Sequence, residues 1–560
     1  MKEALLLAAF VALFCVRLGA VGLIDYDEAA YAQAAHEMLL RGDWLSPSLG
    51  GEPFFEKPPL LYWSQILGYR ALGVGALGAR AGNAFAALAT LAALYGFSRR
   101  PLGARVAWLA ALVLGSSLAF VSLARVALTD LWLLLFIVLA LGCFHRAVEA
   151  ADGSRRGGSR WFVTFCACSG LAMLAKGAVG ALLPAAAALL HLASLRRLSL
   201  LVRPAWWLPG AAALLGIGLS WYLLLGATRP DGFAFMTELF LEQHVARFTS
   251  AKEGHRGPLL YYVPVLVIAF APWSGFLPVA LARRPDAASE RGRWLRLLGL
   301  LSGVTLVFFS AAATKLPHYV LPALPGLALL VAERLAGDGV PPARRALAWS
   351  VAATLVLLVA LAIGLAAAPA IAAALPAWLA ERADKAPELA YPLDLGPALP
   401  AAALAALATA ALVAASRRAP RQLAFRLGAG SLVVWACVAW GVMPRWDRHF
   451  LRPLRELTLS AIARDTSGER LVLVGLRRKP SVVFYGGRGT EYASGRHPES
   501  LVAQLAGPPP RFALASEATF ARLARSAPVE AIGRDTGYVL FRAAIVQVGE
   551  PPPGAAVAPR

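Results

Sequence analysis

The chain is short of charge. Only 16% of its 560 residues are Asp, Glu, Lys or Arg, against about 25% in soluble proteins. It is shorter still of acid: 33 Asp and Glu stand against 54 Lys and Arg, a formal net charge of +21. That excess invites a nucleic-acid partner, and its placement argues against one. The arginines mostly sit in short turns between apolar runs, as the positive-inside rule predicts. Cysteine is scarce too. Cys15, Cys143, Cys166, Cys168 and Cys437 all lie in apolar segments, so nothing requires a disulfide, and Cys166-x-Cys168 reads as helix packing rather than a metal site.

What the chain has in quantity is apolar: 58% of its residues are hydrophobic, with a mean hydropathy of +0.61. They come in runs of roughly 20, the length of a bilayer-crossing helix. The expected fold class is an α-helical polytopic membrane protein of about 13 transmembrane helices with a small C-terminal α/β soluble domain. The spans are expected near 4–24, 78–98, 104–122, 128–147, 161–175, 178–195, 205–226, 258–282, 294–313, 318–335, 345–371, 397–415 and 424–444. The first reads as an uncleaved helix, because no A-x-A site follows it. The pair 161–175 and 178–195 also reads as one segment broken at Lys176-Gly177.

Alternate loops differ in basicity. Arg99, Arg100 and Arg105, then Arg146, Arg155, Arg156 and Arg160, and later clusters through Arg426 mark one side as cytoplasmic. The other side is expected outside and carries the long loop 25–77, "RVALTD", 227–257, "ATKLPHY", 372–396 and the C-terminus. Within 25–77, Ala29–Leu40 and "PPLLYWSQILGYRALG" read as amphipathic juxtamembrane helices. The expected domains are 1–444 in the membrane, 445–548 as the α/β domain and 549–560 as a disordered tail. In the α/β domain "RLVLVG", "SVVFYGG" and "GYVLFRAAIV" read as strands. "PESLVAQLA" and "SEATFARLARSA" read as helices.

The outside loops hold the candidate chemistry. "GLIDYDEAAYAQAAHEMLLRGDW" places Asp27 and Glu28 after the first span, where either could instead be an acid at a helix N-terminus. "FFEKPPLLYW" offers Glu56 and Lys57, and a Lys there can also be a snorkelling anchor. "RVALTDLW" sets Arg125 and Asp130 at the outer end of a span, as a functional pair or a structural one. "ELFLEQHVARF" carries Glu242, His244 and Arg247, and "ATKLPHYVLPALPG" carries Lys315, His318 and Tyr319. Cations with a carboxylate at a membrane surface suit a phosphate bound by Lys and Arg and a hydroxyl nucleophile served by the acid.

At these residues a family resemblance appears. "YDEAAYAQAAHEML-RGDWLSPSLGGEPFFEKPPLLYW" resembles the first outside loop of bacterial ArnT-like glycosyltransferases (glycosyltransferase family 83-like), relatives of the protein O-mannosyltransferases. "EQHVARF" with "GPLLYYVPVLVIAFAPW", and "TKLPHYVLPALPGLALL", resemble later landmarks in the same order. The resemblance covers roughly 5–335. It implies the GT-C fold and transfer of a sugar from a polyprenyl (undecaprenyl) phosphate donor to an envelope acceptor such as lipid A or another glycolipid or glycan. The place implied is the periplasmic face of the bacterial cytoplasmic (inner) membrane, in contact with the lipid bilayer and with no nucleic acid.

The resemblance also implies roles. Asp27 matches the catalytic aspartate, and Glu56 and Lys57 match an E-K pair with Lys57 facing the lipid phosphate. Asp130 matches an acid at the start of a span, and Lys315 and Tyr319 match a cavity-lining segment. His244 with Glu56 matches a pair able to hold a divalent metal (Zn, Mg or Mn), and the sequence does not give the metal requirement. Glu28, Tyr31, Arg125 and Arg247 complete the expected substrate-binding set. One departure stands out: the lipid A-modifying pattern D-E-T-R-Y reads Asp27-Glu28-Ala29-Ala30-Tyr31 here, so the Arg is absent and neither the sugar nor the acceptor follows. Rival readings are a protein O-mannosyltransferase, a lipid-linked sugar transporter or flippase, and a partner-binding membrane protein working through its C-terminal domain.

Overall fold

Hydrocarbon cannot solvate backbone N–H and C=O groups, so apolar runs of this length close their hydrogen bonds internally as helices. The computed structural model describes residues 2–151, 155–236, 257–282, 284–336, 343–379, 387–465, 468, 470–487, 489–493, 501, 505 and 511–543. The chain divides into two compact units: Met1–Pro369 with Leu395–Trp446, and Ala370–Asp394 with Asp447–Arg560.

Seven helices among the described residues are long and apolar enough to cross a membrane. They are Ala76–Leu102, Asp130–Ala150, Glu290–Ala311, Pro317–Ala336, Arg344–Ile371, Ala398–Ala415 and Pro420–Phe450. Three bent pairs raise the number to as many as ten, and Glu3–Cys15 and Val179–Ser194 are shorter apolar helices. The structure alters the expected spans in four places, one of them the span expected over 205–226, which bends by 48° between Pro204–Gly218 and Ser220–Thr228. The first, expected over 4–24, is helical only to Cys15. The span expected over 104–122 breaks by 70° between Ala104–Gly115 and Leu118–Ala124. Indoles hold that break: Trp273 Nε1 donates to Ser116 Oγ at 3.0 Å and Trp435 Nε1 to Ser116 O at 2.8 Å. The span expected over 258–282 is two short helices inclined at 112°.

Both amphipathic helices of the outer loop form, as Asp27–Arg41 and Leu60–Leu72, joined through a small hairpin, Ser48–Leu49 with Glu52–Pro53. The second packs on Ala76–Leu102 so closely that a Cβ at Gly68 would lie 2.1 Å from the carbonyl oxygen of Gly78. Only glycine permits that approach, and it sets the height of the helix that carries Tyr62.

The second unit holds a five-stranded sheet in the order Thr490–Ala493, Leu471–Val474, Phe512–Ser516, Tyr538–Ala543, Val529–Asp535. The first three strands are parallel, and the last two join antiparallel. "SVVFYGG", expected as a strand, is the helix Pro480–Gly486. Pro480 pre-sets a helical φ where no N–H is needed, and Gly487 ends the helix in the left-handed region at φ 64°. Three strands, 490–493, 512–516 and 529–535, were not expected. "SEATFARLARSA" is the helix Glu517–Ser526, capped by Ser516 accepting from Thr519 N at 3.1 Å. Of "PESLVAQLA" only Leu501 and Leu505 are described, and the tail 549–560 lies outside the described residues.

Candidate active site

The helix Asp27–Arg41 takes Tyr26 at its N-cap, with no side-chain cap bond. Asp27 is thus the first helical residue, where the helix dipole favours an acid, and its carboxylate is exposed rather than tied up as a cap. At the other end Gly42, at φ 67°, turns the chain back, with Asp43 N donating to Met38 O at 3.1 Å. Glu37 then organises the hairpin. Its carboxylate accepts from Gln33 Nε2 at 2.9 Å, Gly50 N at 2.7 Å, Gly51 N at 3.2 Å and Ser48 Oγ. That anchor delivers Phe54–Lys57 to the helix Asp27–Arg41. Tyr31 receives them: its ring lies 6.2 Å from that of Phe54, and the Lys57 ammonium stands 5.6 Å from its centroid. Pro58 and Pro59 then lead into Leu60–Leu72, whose Tyr62 ring meets Tyr31 edge-on at 6.2 Å.

A second group comes from two helix ends. Asp130 opens Asp130–Ala150. Lys176 closes Arg155–Lys176, which Gly177 ends at φ 76°. An acid at an N-terminus and a base at a C-terminus each suit their helix dipole, and here they meet: Lys176 Nζ donates to Asp130 Oδ1 at 2.6 Å. The same ammonium lies 4.7 Å from the Tyr319 ring centroid. Tyr319 and His318 arrive on the 3₁₀ turn that starts at Pro317. Asp130 is within electrostatic reach of Lys176, His318 and Lys57, and His318 is within reach of Asp27 as well. Asp27, Lys57, Asp130, Lys176, His318 and Tyr319 therefore converge, with Tyr31 and Glu56 beside them.

Tyr62 belongs to this group. It is fully buried, and its hydroxyl has no hydrogen-bond partner among the described residues. Burial pushes its phenol well above the usual range, and the carboxylates of Glu56 and Asp27 push it further. The site thus holds a protonated, unpartnered donor near two carboxylates. Buried polar groups are seldom left unpaired in a finished structure.

Three expected site residues have other work. Glu28 is 2% exposed, and both its oxygens are occupied. Oε1 accepts from Arg80 Nε at 2.7 Å and Ala127 N at 2.8 Å. Oε2 accepts from Arg80 Nη2 at 2.7 Å and Ile24 N at 2.9 Å. It ties the outer loop to two helix ends rather than binding substrate. Arg125 does not pair with Asp130. Its guanidinium closes the end of the first helix on the carbonyls of Leu13 (2.5 Å), Val16 (3.2 Å), Phe14 and Arg17 (both 3.3 Å). Lys315 donates to the carbonyls of Ser310 and Ala312 at 2.7 Å and of Phe309 at 3.4 Å. Its three protons cap the helix Glu290–Ala311, and the cation that stands beside Asp130 and Tyr319 is Lys176. His244 and Arg247 lie outside the described residues, and with them the Glu56–His244 metal pair. Among the described residues no three His, Cys, Asp or Glu side chains are grouped to hold a metal.

Sequence reasoning missed Lys176 and Tyr62 and left His318 without a role. Lys176 had a usable signal, since an ionisable residue inside an apolar stretch marks function or a partner. It was read only as the break beside Gly177. Tyr62 had none, because an interfacial tyrosine looks the same whether its hydroxyl is paired or not.

Known proteins resemble the chain in sequence and in fold. The family described as dolichyl-phosphate-mannose-protein mannosyltransferase matches residues 2–231. An undecaprenyl phosphate-alpha-4-amino-4-deoxy-L-arabinose arabinosyl transferase 2 of Pseudomonas fluorescens is 33% identical over 336 residues, 59% of each chain. The corresponding transferase of Yersinia enterocolitica is 31% identical over 336 residues, 59% of this chain and 58% of its own. The matched segment thus spans less than two thirds of these relatives. The crystal structure of ArnT from Cupriavidus metallidurans bound to undecaprenyl phosphate superposes with a TM-score of 0.78 over 98% of this chain and 99% of that one, at 22% identity. The likeness in fold therefore runs through the C-terminal unit, beyond the reach of the sequence match. Over nearly its whole length the chain has the fold of that ArnT, its long apolar helices are those of a multi-pass membrane protein, and its first part is similar in sequence to the arabinosyl transferases.

Proposed function

We propose that the chain is a membrane glycosyltransferase that moves a sugar from an undecaprenyl phosphate carrier to an envelope glycolipid or glycan, on the periplasmic face of the bacterial inner membrane. One observation carries the reading: Lys57, the Asp130-tethered Lys176 and the exposed carboxylate of Asp27 all stand within electrostatic reach of His318. The lysines bind and neutralise the phosphate, while Asp27 receives the acceptor hydroxyl. The acceptor oxygen bonds to the anomeric carbon, the carbon–oxygen bond to phosphate breaks, and phosphate leaves with the electron pair. The hydroxyl proton passes to Asp27. Phosphate is already a good leaving group, so positioning and charge stabilisation supply most of the catalysis. Lipid A is the acceptor that the family resemblance implies, and Ala30 in place of the patterned Arg equally fits another envelope acceptor. A divalent ion between Glu56 and His244 is a separate proposal, tested by elemental analysis of purified protein, and no step above runs through it.

The mannosyltransferase family match over 2–231 favours a second reading, in which the acceptor is a protein hydroxyl. One experiment separates the two. Envelope glycolipids, glycoproteins and undecaprenyl phosphate-linked sugars are compared by mass spectrometry between a parental strain and one carrying Asp27→Asn. Accumulated donor with a missing glycolipid supports the first reading, and a missing glycoprotein the second. No change in any of the three overturns both.

A further inference from the structure

The sheet of the second unit contains a topological switch point. Strand Leu471–Val474 lies between Thr490–Ala493 and Phe512–Ser516, parallel to both. The chain leaves this strand toward one side and then returns across it to the other. In open α/β sheets such a switch point opens a crevice at the carboxyl ends of the two strands involved, and ligands bind there. Here the rims are the segment Gly475–Lys479 and the start of the helix Glu517–Ser526. Gly475, at φ 66°, leans on that helix: a Cβ on it would lie 3.3 Å from Thr519 Oγ1.

The rim is basic. Arg477, Arg478 and Lys479 follow one another, and no acid occurs from Arg470 to Gly489. Arg477 and Arg478 are exposed. Other arginines of the unit are matched to acids: Arg455 to Asp447 at 3.3 Å, Arg511 to Glu491 at 3.0 Å and Arg542 to Glu530 at 3.0 Å. Glu517, the acid on the facing rim, already accepts from Tyr391 Oη at 2.5 Å and stands 3.8 Å from Arg534, so its charge is answered within the unit. Two adjacent guanidinium groups present forked donors that fit phosphate oxygens better than a point charge does.

We propose that the Gly475–Lys479 rim is an anion site that binds phosphate groups carried on an envelope glycan or a lipid headgroup. This goes beyond the transfer reading and stands without it. The test uses the full chain in phosphatidylcholine nanodiscs, with no sugar donor present, and reads binding of two probes. One is glucose 1,6-bisphosphate in solution; the other is phosphatidylcholine vesicles with and without phosphatidylglycerol. Arg477→Gln with Arg478→Gln should weaken binding of at least one probe by roughly tenfold or more, the scale of lost charge-assisted contacts. Loss confined to the bisphosphate names a soluble or glycan phosphate, and loss confined to the vesicles names a headgroup. Arg525→Gln, an exposed arginine-to-glutamine change at the far end of the facing helix, should do neither. If the parental protein binds neither probe, if the double substitution leaves both unchanged, or if Arg525→Gln weakens them equally, the proposal fails. Undecaprenyl phosphate binding and sugar transfer are measured separately, so failure of the transfer reading shows as lost transfer with this binding intact.

Discussion

Lys176 donates to Asp130 at 2.6 Å, joining the C-terminus of one helix to the N-terminus of another 46 residues earlier. Both side chains are withdrawn from solvent, so each is the reason the other can stay charged. Removing either partner leaves an uncompensated buried charge, which costs about 3–5 kcal/mol. Lys176→Met and Asp130→Asn should each lower the thermal midpoint of purified protein, and the double variant should recover part of the loss. Equal destabilisation in the singles with full additivity in the double would show that the pair is not coupled.

Glu28→Ala should damage folding rather than chemistry. It strands Arg80, which is 2% exposed, and the cost is again about 3–5 kcal/mol. The expected outcome is poor yield and a lowered midpoint, with near-parental activity per folded molecule. A well-folded Glu28→Ala protein without transfer would return Glu28 to the site.

Lys57 and Lys315 should separate cleanly. Lys57→Ala should weaken undecaprenyl phosphate binding by the ~1.5–3 kcal/mol of a charged contact, with little change in midpoint. Lys315→Ala should lower the midpoint, because the last carbonyls of Glu290–Ala311 lose their donors, and should leave binding close to parental. Parallel titrations and melts read both effects, and reversed results would exchange the two roles.

Tyr62→Phe keeps the ring against Tyr31 and deletes an unpartnered buried hydroxyl, which relieves a desolvation cost of about 1–3 kcal/mol. The midpoint should hold or rise while turnover falls, because the hydroxyl finds its partner only with substrate in place. Unchanged turnover would make the phenol a structural leftover.

Asp27→Asn should reduce transfer by roughly 10²–10⁴-fold, the usual range for a positioned acid or base. The fold should be unaffected, since Asp27 does not cap its helix. Near-parental transfer by the purified variant would move the catalytic carboxylate to Asp130 or Glu56.

What the amino-acid sequence determined by itself was whatever depends on local composition. Runs of apolar residues specify membrane helices because backbone groups in hydrocarbon have no other partner. Turn chemistry likewise sets the ends of Asp27–Arg41 and Leu60–Leu72. Motif spacing marked Asp27, Lys57, Asp130 and Tyr319. It misread "SVVFYGG", where Pro480 and Gly487 outweighed β-branched residues, and it drew straight spans across Ser116, where two indoles from distant segments hold a bend. Tertiary structure alone decided which charge serves which purpose. Glu28 finds Arg80, 52 residues on, and becomes an anchor; Arg125 and Lys315 turn to helix-end carbonyls; Lys176 comes to Asp130 and Tyr319. The role of an ionisable group is set by its partners and by how far water is excluded around it, and both are properties of helix ends meeting in space.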